Sequence, residues 1–174
     1  MIQALRLVCR VTLVTCVVIC AASLGAWAQS SNAEAVVKNA SEQKMTNLPN
    51  IPKCGTSAVL SGDPSKGPST LLIKLTGSCT VPWHWHTPNE QLMMASGVGR
   101  FQMKDAKPVL LRPGGYAFAP SRHVHQFSCA STCLAFLHSE GPFDLHYVDG
   151  SGKEISMDEA LKKPKAPAAH SKKT

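Results

Sequence analysis

The middle of the chain, from about residue 55 to residue 150, is cut into short strand-like runs by closely spaced glycine, proline and serine. Residues 61–69 form a loop of this composition, and LLIKL follows at residues 71–75. Val109–Leu111 precedes a Pro-Gly-Gly turn, and residues 143–148 form a last strand before an Asp-Gly turn. Such a density of short strands predicts an all-β domain, a small barrel or sandwich of the jelly-roll type.

Potential metal ligands lie within this region, in the run PWHWHTPNE and about 35 residues later in APSRHVHQF. Side chains two residues apart in a strand point to the same face, so His84 and His86 can reach one ion. A turn at residues 87–89 lets Glu90 add a carboxylate oxygen from the start of the next strand. With His125 as a fourth ligand, an octahedral ion keeps two positions for water or substrate. This pattern is typical of an open, reactive metal site.

Two segments resemble the two sequence motifs of the cupin superfamily. Residues 77–97, GSCTVPWHWHTPNEQLMMASG, carry a glycine, H-x-H-x3-E and a closing glycine, with six residues rather than five between the first glycine and the first histidine. Residues 114–127, GGYAFAPSRHVHQF, resemble the second motif. Arg122 stands where the family usually has glycine, and Cys129 stands where an asparagine often closes the motif.

The resemblance covers about residues 55–150 and implies a single cupin-type jelly-roll β-barrel and a homodimer. It also implies one divalent transition metal, Fe, Mn, Ni, Zn or Cu, held by His84, His86, Glu90 and His125. His123 competes for the fourth position because it shares a strand face with His125, but the spacing from Pro120 favours His125. The alternative is a cupin fold without a metal. The other histidines are interpreted as surface or hydrogen-bonded residues: His138, His146 and His170.

Alternation along the strands predicts which side chains share the barrel interior with the ligands. Leu92 and Met94 follow Glu90 on one strand, and Phe127 and Cys129 follow His125 on another, so the pocket should be apolar. The side chains that we expect to pack in the core or at a contact, rather than touch substrate, are Trp83, Trp85, Met93, Phe101 and Met103. Two arginines are interpreted as surface residues, although either could bind an anionic substrate: Arg100 and Arg122.

The first 28 residues have the composition of a secretory signal. Two arginines precede an apolar run at residues 11–26, and Ala-Trp-Ala at residues 26–28 forms a small-x-small cleavage site. We therefore expect export to the periplasm or beyond, with Gln29 as the first mature residue. No twin arginine precedes the run, so we expect export of the unfolded chain and metal uptake afterwards.

Two other interpretations of this segment are disfavoured. A membrane anchor needs roughly 20 apolar residues, and this run is shorter, so no stable membrane insertion is expected after cleavage. A lipoprotein would use Cys20, but Ile19 stands where a small residue is required.

Four cysteines remain after the predicted cleavage, an even number that favours disulfides in an exported protein. Cys129 and Cys133 flank residues 130–132, which we interpret as the turn of a hairpin. Opposed residues in an antiparallel pair lie within bridging range, so this pair should form a disulfide. Cys54 and Cys79 are then left to pair or to stay free.

The mature chain is expected to contain one domain, a cupin barrel at residues 54–150, after a flexible segment at residues 29–53. Residues 151–174 are predicted to form a short helix capped by Ser156 and then a basic, disordered tail. Residues 162–174 contain five lysines and no acid, and without them the mature chain has equal numbers of acidic and basic residues. The barrel therefore lacks the basic surface that nucleic-acid binding requires.

These observations favour an exported, metal-dependent enzyme that acts on a small molecule. Oxygen-using oxidation is favoured because substrate and O2 could bind beside each other, and isomerase or lyase chemistry suits the same site. Glu90 is the predicted catalytic residue, a ligand that can loosen and act as a base. The alternative is a binding or sensing cupin without catalysis, because no acid and base pair can be identified outside the ligand set.

Overall fold

The computed structural model of the protein describes residues 35–47 and 50–162. By internal contacts the chain divides into residues 1–37 and residues 38–174, and the described part of the first unit has no helix or strand. The described part of the second unit contains a 3₁₀ turn, ten strands and one short helix. Their bounds are Ala40–Glu42 for the 3₁₀ turn, then β1 (Gly55–Gly62), β2 (Ser69–Leu75), β3 (Cys79–Trp85), β4 (Glu90–Ser96), β5 (Gly99–Met103), β6 (Val109–Leu111), β7 (Tyr116–Ala119), β8 (His125–Cys129), β9 (Cys133–Ser139), β10 (His146–Tyr147) and α1 (Met157–Ala160).

The strands form two five-stranded antiparallel sheets. One has the order β1-β2-β9-β4-β7 and the other β10-β3-β8-β5-β6, so strands that follow each other in sequence often lie in different sheets. This arrangement confirms the predicted all-β jelly roll. Among the described residues, no helix is long and apolar enough to cross a membrane.

The core is built from rows of side chains that face inward from paired strands. In the first sheet Leu71, Leu137 and Leu92 are opposite one another on β2, β9 and β4, and all are buried. In the second sheet Val81 and Phe127 are opposite each other on β3 and β8. Successive side chains in a strand point to opposite faces, so residues two apart on each strand share the inward face.

The segment between β8 and β9 is not the turn of a hairpin, contrary to the sequence prediction. The strand β8 pairs with β3 and β5, whereas β9 pairs with β2 and β4, so the chain crosses from one sheet to the other at residues 130–132. The predicted disulfide between Cys129 and Cys133 is confirmed, with Cα atoms 6.1 Å apart. This disulfide links strands of different sheets. The predicted pairing of the two cysteines is therefore correct, but the hairpin from which it was predicted is absent.

The turn after β4 packs against this crossing at Gly97, the closing glycine of the first motif. Its φ of +75° lies in the left-handed region, and an added Cβ would lie 2.9 Å from the Cβ of Cys133 and 2.6 Å from the carbonyl oxygen of Thr132. Glycine, which has no side chain, tolerates both the left-handed φ and the close approach of Thr132 and Cys133.

A second disulfide joins Cys54, just before β1, to Cys79 at the start of β3, with Cα atoms 5.7 Å apart. The end of the segment predicted to be flexible, residues 29–53, is thereby tied to the barrel. Two further contacts tie the same region: Thr46 forms a β-bridge with Ser57, and the hydroxyl of Tyr147 donates a hydrogen bond to the carbonyl oxygen of Asn50 at 2.7 Å.

The predicted helix after the barrel is present as α1. The side-chain oxygen of Ser156 accepts a hydrogen bond from the backbone N–H of Glu159, as the capping prediction requires. The predicted signal segment and nearly all of the basic tail lie outside the described residues.

Candidate metal centre

An irregularity in β3 places its one histidine, His84, on the inner face of the barrel. The pairing between β3 and β8 shifts register between Val81 and His84, so both point inward although they are three residues apart. Pro82 lies within the irregularity, where its missing N–H costs no ladder hydrogen bond. After the shift His84 is opposite His125 on β8.

The turn between β3 and β4 brings Glu90 to the same place. The strand β3 ends at Trp85 and β4 begins at Glu90. The side-chain oxygen of Asn89 accepts a hydrogen bond from the backbone N–H of Ser121 at 2.8 Å, and the hydroxyl of Ser121 donates to the carbonyl oxygen of Thr87 at 2.5 Å. These bonds fix the turn that the sequence predicted at residues 87–89.

His84, His86 and His125 form a buried cluster. The ring centroids are 4.3 Å apart for His84 and His125, 4.9 Å for His84 and His86, and 5.3 Å for His86 and His125. One ring nitrogen from each lies within 4.8 Å of the other two, a spacing that suits ligands of a single ion. Imidazoles this deeply buried need partners, since an unpaired polar atom in the core is costly.

Each of the three rings is anchored through its Nδ1 atom to a backbone carbonyl. The Nδ1 atom lies 2.6 Å from the carbonyl oxygen of Pro82 for His84 and 2.9 Å from that of His123 for His125, and for His86 the partner is the carbonyl oxygen of Asp144. A carbonyl can only accept, so each Nδ1 atom carries the proton. In the neutral ring the Nε2 atom then presents a lone pair, the arrangement found in histidine ligands.

The Nε2 atoms of His86 and His125 are buried and have no hydrogen-bond partner. Glu90 lies beside both, with Oε2 at 2.9 Å from Nε2 of His86 and Oε1 at 3.6 Å from Nε2 of His125. The first distance is that of a close ion pair, yet no hydrogen bond joins the two atoms. We interpret the two nitrogens and the carboxylate as facing a shared point, the geometry that a bound cation would satisfy.

The charges in the cluster follow from burial and mutual contact. Burial raises the pKa of Glu90, but the adjacent imidazoles of His86 and His125 outweigh it and hold that pKa well below its usual range. Burial lowers the pKa of His86, but the carboxylate of Glu90 outweighs burial and raises it. The pKa of His84 is well below its usual value because of burial and the neighbouring imidazoles. The site is therefore anionic at Glu90 and neutral at His84.

Other histidines lie away from the cluster. His123, the competing candidate, is exposed and contributes only its carbonyl oxygen to His125. The Nδ1 atom of His138 lies 3.1 Å from the hydroxyl of Thr70. His146 stacks on Trp85, with ring centroids 3.9 Å apart, and lies outside the barrel interior. His170 lies outside the described residues.

A cavity of about 40 Å³ opens from the cluster into the barrel. Of the four predicted lining residues, Leu92 and Phe127 line it. Met94 and Cys129 do not, although both are buried, because they lie two residues farther from the histidines along their strands.

Sequence reasoning missed seven of the cavity's lining residues: Ile51, Ile73, Leu75, Val81, Leu137, Phe143 and Leu145. Ile51 lies in the segment before β1 and gave no sequence signal. Phe143 and Leu145 alternate with the buried Tyr147, and this period of two could have assigned them to the inner face. Residues 143–148 were predicted as a strand, but only His146 and Tyr147 pair with β3.

Asp144 was also missed, and it explains why this strand is short. Its carbonyl oxygen accepts from Nδ1 of His86, and its Oδ1 atom accepts from the backbone N–H of Thr87 at 2.7 Å. Its Oδ2 atom lies 3.3 Å from Nε2 of His146. Asp144 therefore orients His86, a predicted metal ligand, through its backbone carbonyl and does not pair with β3.

The two arginines considered for substrate binding do not reach the cavity. The guanidinium carbon of Arg122 lies 5.0 Å from the ring centroid of Trp85, on the outside of the barrel. Arg122 also has a φ of 59°, so it adopts the left-handed conformation of the glycine expected at this position. Arg100 is exposed on β5.

Residues 72–138, from β2 to β9, match the family model of the cupin domain, and this match supports the predicted resemblance to the cupin superfamily. No curated protein matches the sequence.

Several solved structures share the fold. The polyketide cyclase RemF from Streptomyces resistomycificus is 17% identical with a TM-score of 0.58, over 67% of this chain and 87% of that one. An RmlC-like cupin from Ralstonia eutropha is 16% identical with a TM-score of 0.55, over 74% of this chain and 85% of that one. The DMSP lyase DddQ from Ruegeria pomeroyi is 19% identical with a TM-score of 0.50, over 57% of this chain. The chain spans 63% and 56% of two DMSP lyase structures.

Proposed function

We propose that this protein is a metal-dependent cupin enzyme that oxidises a small molecule with O2. The observation that carries the proposal is the orientation of the three imidazoles: each Nδ1–H is bound to a backbone carbonyl, which leaves the three Nε2 atoms available to one ion inside the barrel. Hydrogen bonds of this kind hold a ring in place before an ion arrives and raise its basicity.

The donor set suits a divalent ion such as Fe, Mn, Ni, Zn or Cu. We propose His84, His86, His125 and Glu90 as the ligands. When bound, such an ion would supply Lewis acidity and, if it is redox-active, a site for O2. Three imidazoles and one carboxylate leave room for both substrate and O2 in a six-coordinate site.

Glu90 is the residue that we propose moves a proton. Its carboxylate is ionised and lies in the cavity wall, where it can accept a proton from the substrate at Oε1 or Oε2. The apolar walls keep bulk water from competing for that proton, and low polarity strengthens electrostatic interactions inside the cavity. Phe143, whose ring centroid is 5.0 Å from that of His86, covers one side of the site.

The fold does not choose among reactions, because the proteins that share it include lyases and a cyclase. Isomerase or lyase chemistry remains compatible with the same residues. Oxidation by O2 is favoured by the apolar cavity, in which a non-polar gas dissolves better than it does in water.

One observation favours a second candidate function, non-catalytic binding or sensing. Within residues 35–47 and 50–162, no side chain that lines the cavity can donate or accept a proton apart from His84, His86, His125 and Glu90. A binding cupin needs nothing more than the metal and the apolar walls.

The two functions are separated by comparing metal content with turnover. Protein purified from the periplasm is analysed for metals and screened for O2 uptake with small substrates, alongside Glu90→Gln and, as the matched control, Glu159→Gln on the exposed helix α1. An enzyme should lose turnover in Glu90→Gln by more than its loss of metal explains, while Glu159→Gln behaves as wild type. A binder should show no turnover in wild type and a change in metal affinity alone. Wild type that binds none of Fe(II), Mn(II), Ni(II) or Zn(II) would exclude both.

We also propose that the protein is exported by the signal segment at residues 1–28. Two disulfides, Cys54 with Cys79 and Cys129 with Cys133, support this proposal, because disulfides persist in oxidising compartments and are rare in the cytosol.

A further inference from the structure

The side chains that line the cavity outside the metal-binding cluster restrict which ligand can bind there. All its polar side chains are at one end, in the cluster of three histidines and Glu90. Every other lining side chain is aliphatic or phenylalanine, among them Ile73, Leu92, Phe127 and Leu137. A ligand in this cavity therefore meets polar partners at one end alone.

The walls also lack any positive side chain. Among the residues that the structure describes, no lysine or arginine lines the cavity, and the two arginines considered for substrate binding lie outside it, Arg122 against Trp85 and Arg100 exposed on β5. A charge or hydroxyl on the far part of a ligand would lose its hydration and find no partner. Such burial is costly, and for a charged group the cost is larger.

The volume sets a further limit. The cavity encloses about 40 Å³, which favours a small ligand. Access to it lies beside the half-buried Ile51, Phe143 and Leu145.

From these three observations we infer that the site selects a small molecule with a single metal-binding polar head and a short, uncharged hydrocarbon tail. The inference rests on the proposed metal function for the head, but the selection against a charged tail follows from the walls alone. Selectivity against a second charge is built into the cavity because no residue there can compensate it.

The test uses two hydroxamates that share a head and differ at the tail. Butanehydroxamic acid ends in a methyl group, and succinic acid monohydroxamate has the same number of carbons and ends in a carboxylate. Binding of each to the Zn(II)-loaded protein is measured by titration calorimetry. We expect the carboxylate-tailed compound to bind at least about 10-fold more weakly. Equal affinities, or binding of neither compound by the Zn(II)-loaded protein, would overturn the inference.

A charge introduced at the mouth of the cavity gives a second readout. Leu145→Arg places a cation beside the half-buried rim, and it should raise the affinity for succinic acid monohydroxamate while leaving that for butanehydroxamic acid equal or weaker. Leu110→Arg is the matched control, because Leu110 is 60% exposed on β6 and does not line the cavity. A gain of the same size in both variants would contradict selection by the cavity walls.

A metal-free arm separates this inference from the proposed function. Methyl NMR signals of Leu92, Leu137 and Ile73 are followed while 2-pentanone or levulinate, its carboxylate-bearing counterpart, is added to metal-free protein. We expect shifts with 2-pentanone alone. If the protein binds no Zn(II) but discriminates between these two ketones, the proposed function fails and the inference stands. If it binds Zn(II) but responds equally to both ketones, the inference fails and the proposed function stands.

Discussion

At the residue scale, the described histidines differ in what holds their rings. His84, His86 and His125 are buried, and the Nδ1 atom of each ring is hydrogen-bonded to a backbone carbonyl. His138 and His146 contact side chains, and His123 is exposed. A backbone partner fixes the ring without competing for a metal, whereas a carboxylate partner on the same nitrogen would carry charge of its own.

Metal affinity should therefore depend on the cluster and not on His123. Replacing His86 or His125 by alanine removes a ligand, and we expect Zn(II) binding to weaken by at least about 100-fold, which is the upper end for losing an outer hydrogen-bond partner. Glu90→Gln keeps three imidazoles and should weaken binding less. His123→Ala keeps the backbone carbonyl that holds His125, so affinity should not change. Competition with a chromophoric chelator measures all four, and a loss in His123→Ala equal to that in His125→Ala would contradict the assigned ligand set.

Two sequence motifs picked out the four side chains that the fold brings together, with His84, His86 and Glu90 in the first and His125 in the second. They could not reveal Asp144 or Ile51, which lie in loop segments outside both motifs. Their roles depend on the path of loops, and loops follow no simple periodicity.

At the scale of elements, the turn before β8 adopts the backbone conformation of the family's second motif without its glycine. Arg122 has a φ of 59°, its backbone N–H donates to the carbonyl oxygen of His86 at 2.8 Å, and its side chain lies over Trp85. The left-handed conformation costs a non-glycine residue roughly 1–2 kcal/mol, and a cation-π contact at an exposed site returns roughly 0.5–1 kcal/mol.

Substitution at this position should separate the two contributions. Arg122→Ala loses the contact with Trp85 and keeps the strained backbone, whereas Arg122→Gly loses the contact and relieves the strain. We expect Arg122→Gly to be more stable than Arg122→Ala by about 0.5–1 kcal/mol, after allowance for the greater freedom of glycine in the unfolded chain. Urea denaturation of both variants gives the difference. An alanine variant as stable as the glycine variant would mean that the turn relaxes out of the left-handed region.

The two disulfides differ in the length of chain that they close. Cys54 and Cys79 are 25 residues apart in sequence, and Cys129 and Cys133 are 4 apart. In the chain-entropy account, closing the longer loop stabilises by about 3.5 kcal/mol and the shorter by about 2 kcal/mol. Replacing each pair by alanines should therefore destabilise more for the first pair, by about 1.5 kcal/mol. Chemical denaturation of the two double variants measures this. The reverse order would show that the crossing at residues 130–132 depends on its bridge for more than loop closure.

At the scale of the whole molecule, the fold class followed from the density of strands and turns, but the strand order did not. The apparent hairpin around residues 130–132 illustrates the reason. A short polar turn between two strands suits a hairpin and a crossing between sheets equally, and only long-range pairing decides between them. The alternation on β4 and β8 identified inward side chains correctly, yet the depth of the cavity among them depends on how two sheets pack, which no local pattern encodes.

The sequence also predicts the cellular compartment in which the protein resides. If residues 1–28 are a cleaved signal, exported protein should have Gln29 as its first residue, because Ala28 ends the small-x-small site that follows the apolar run. N-terminal sequencing of protein from the periplasmic fraction measures this directly. Ala28→Arg, which breaks the cleavage site without changing the apolar run, should leave uncleaved precursor bound to the inner membrane. Wild type that remains full-length in the inner membrane would show instead that the segment is an anchor, and the metal site would then be tethered to the bilayer rather than free in the periplasm.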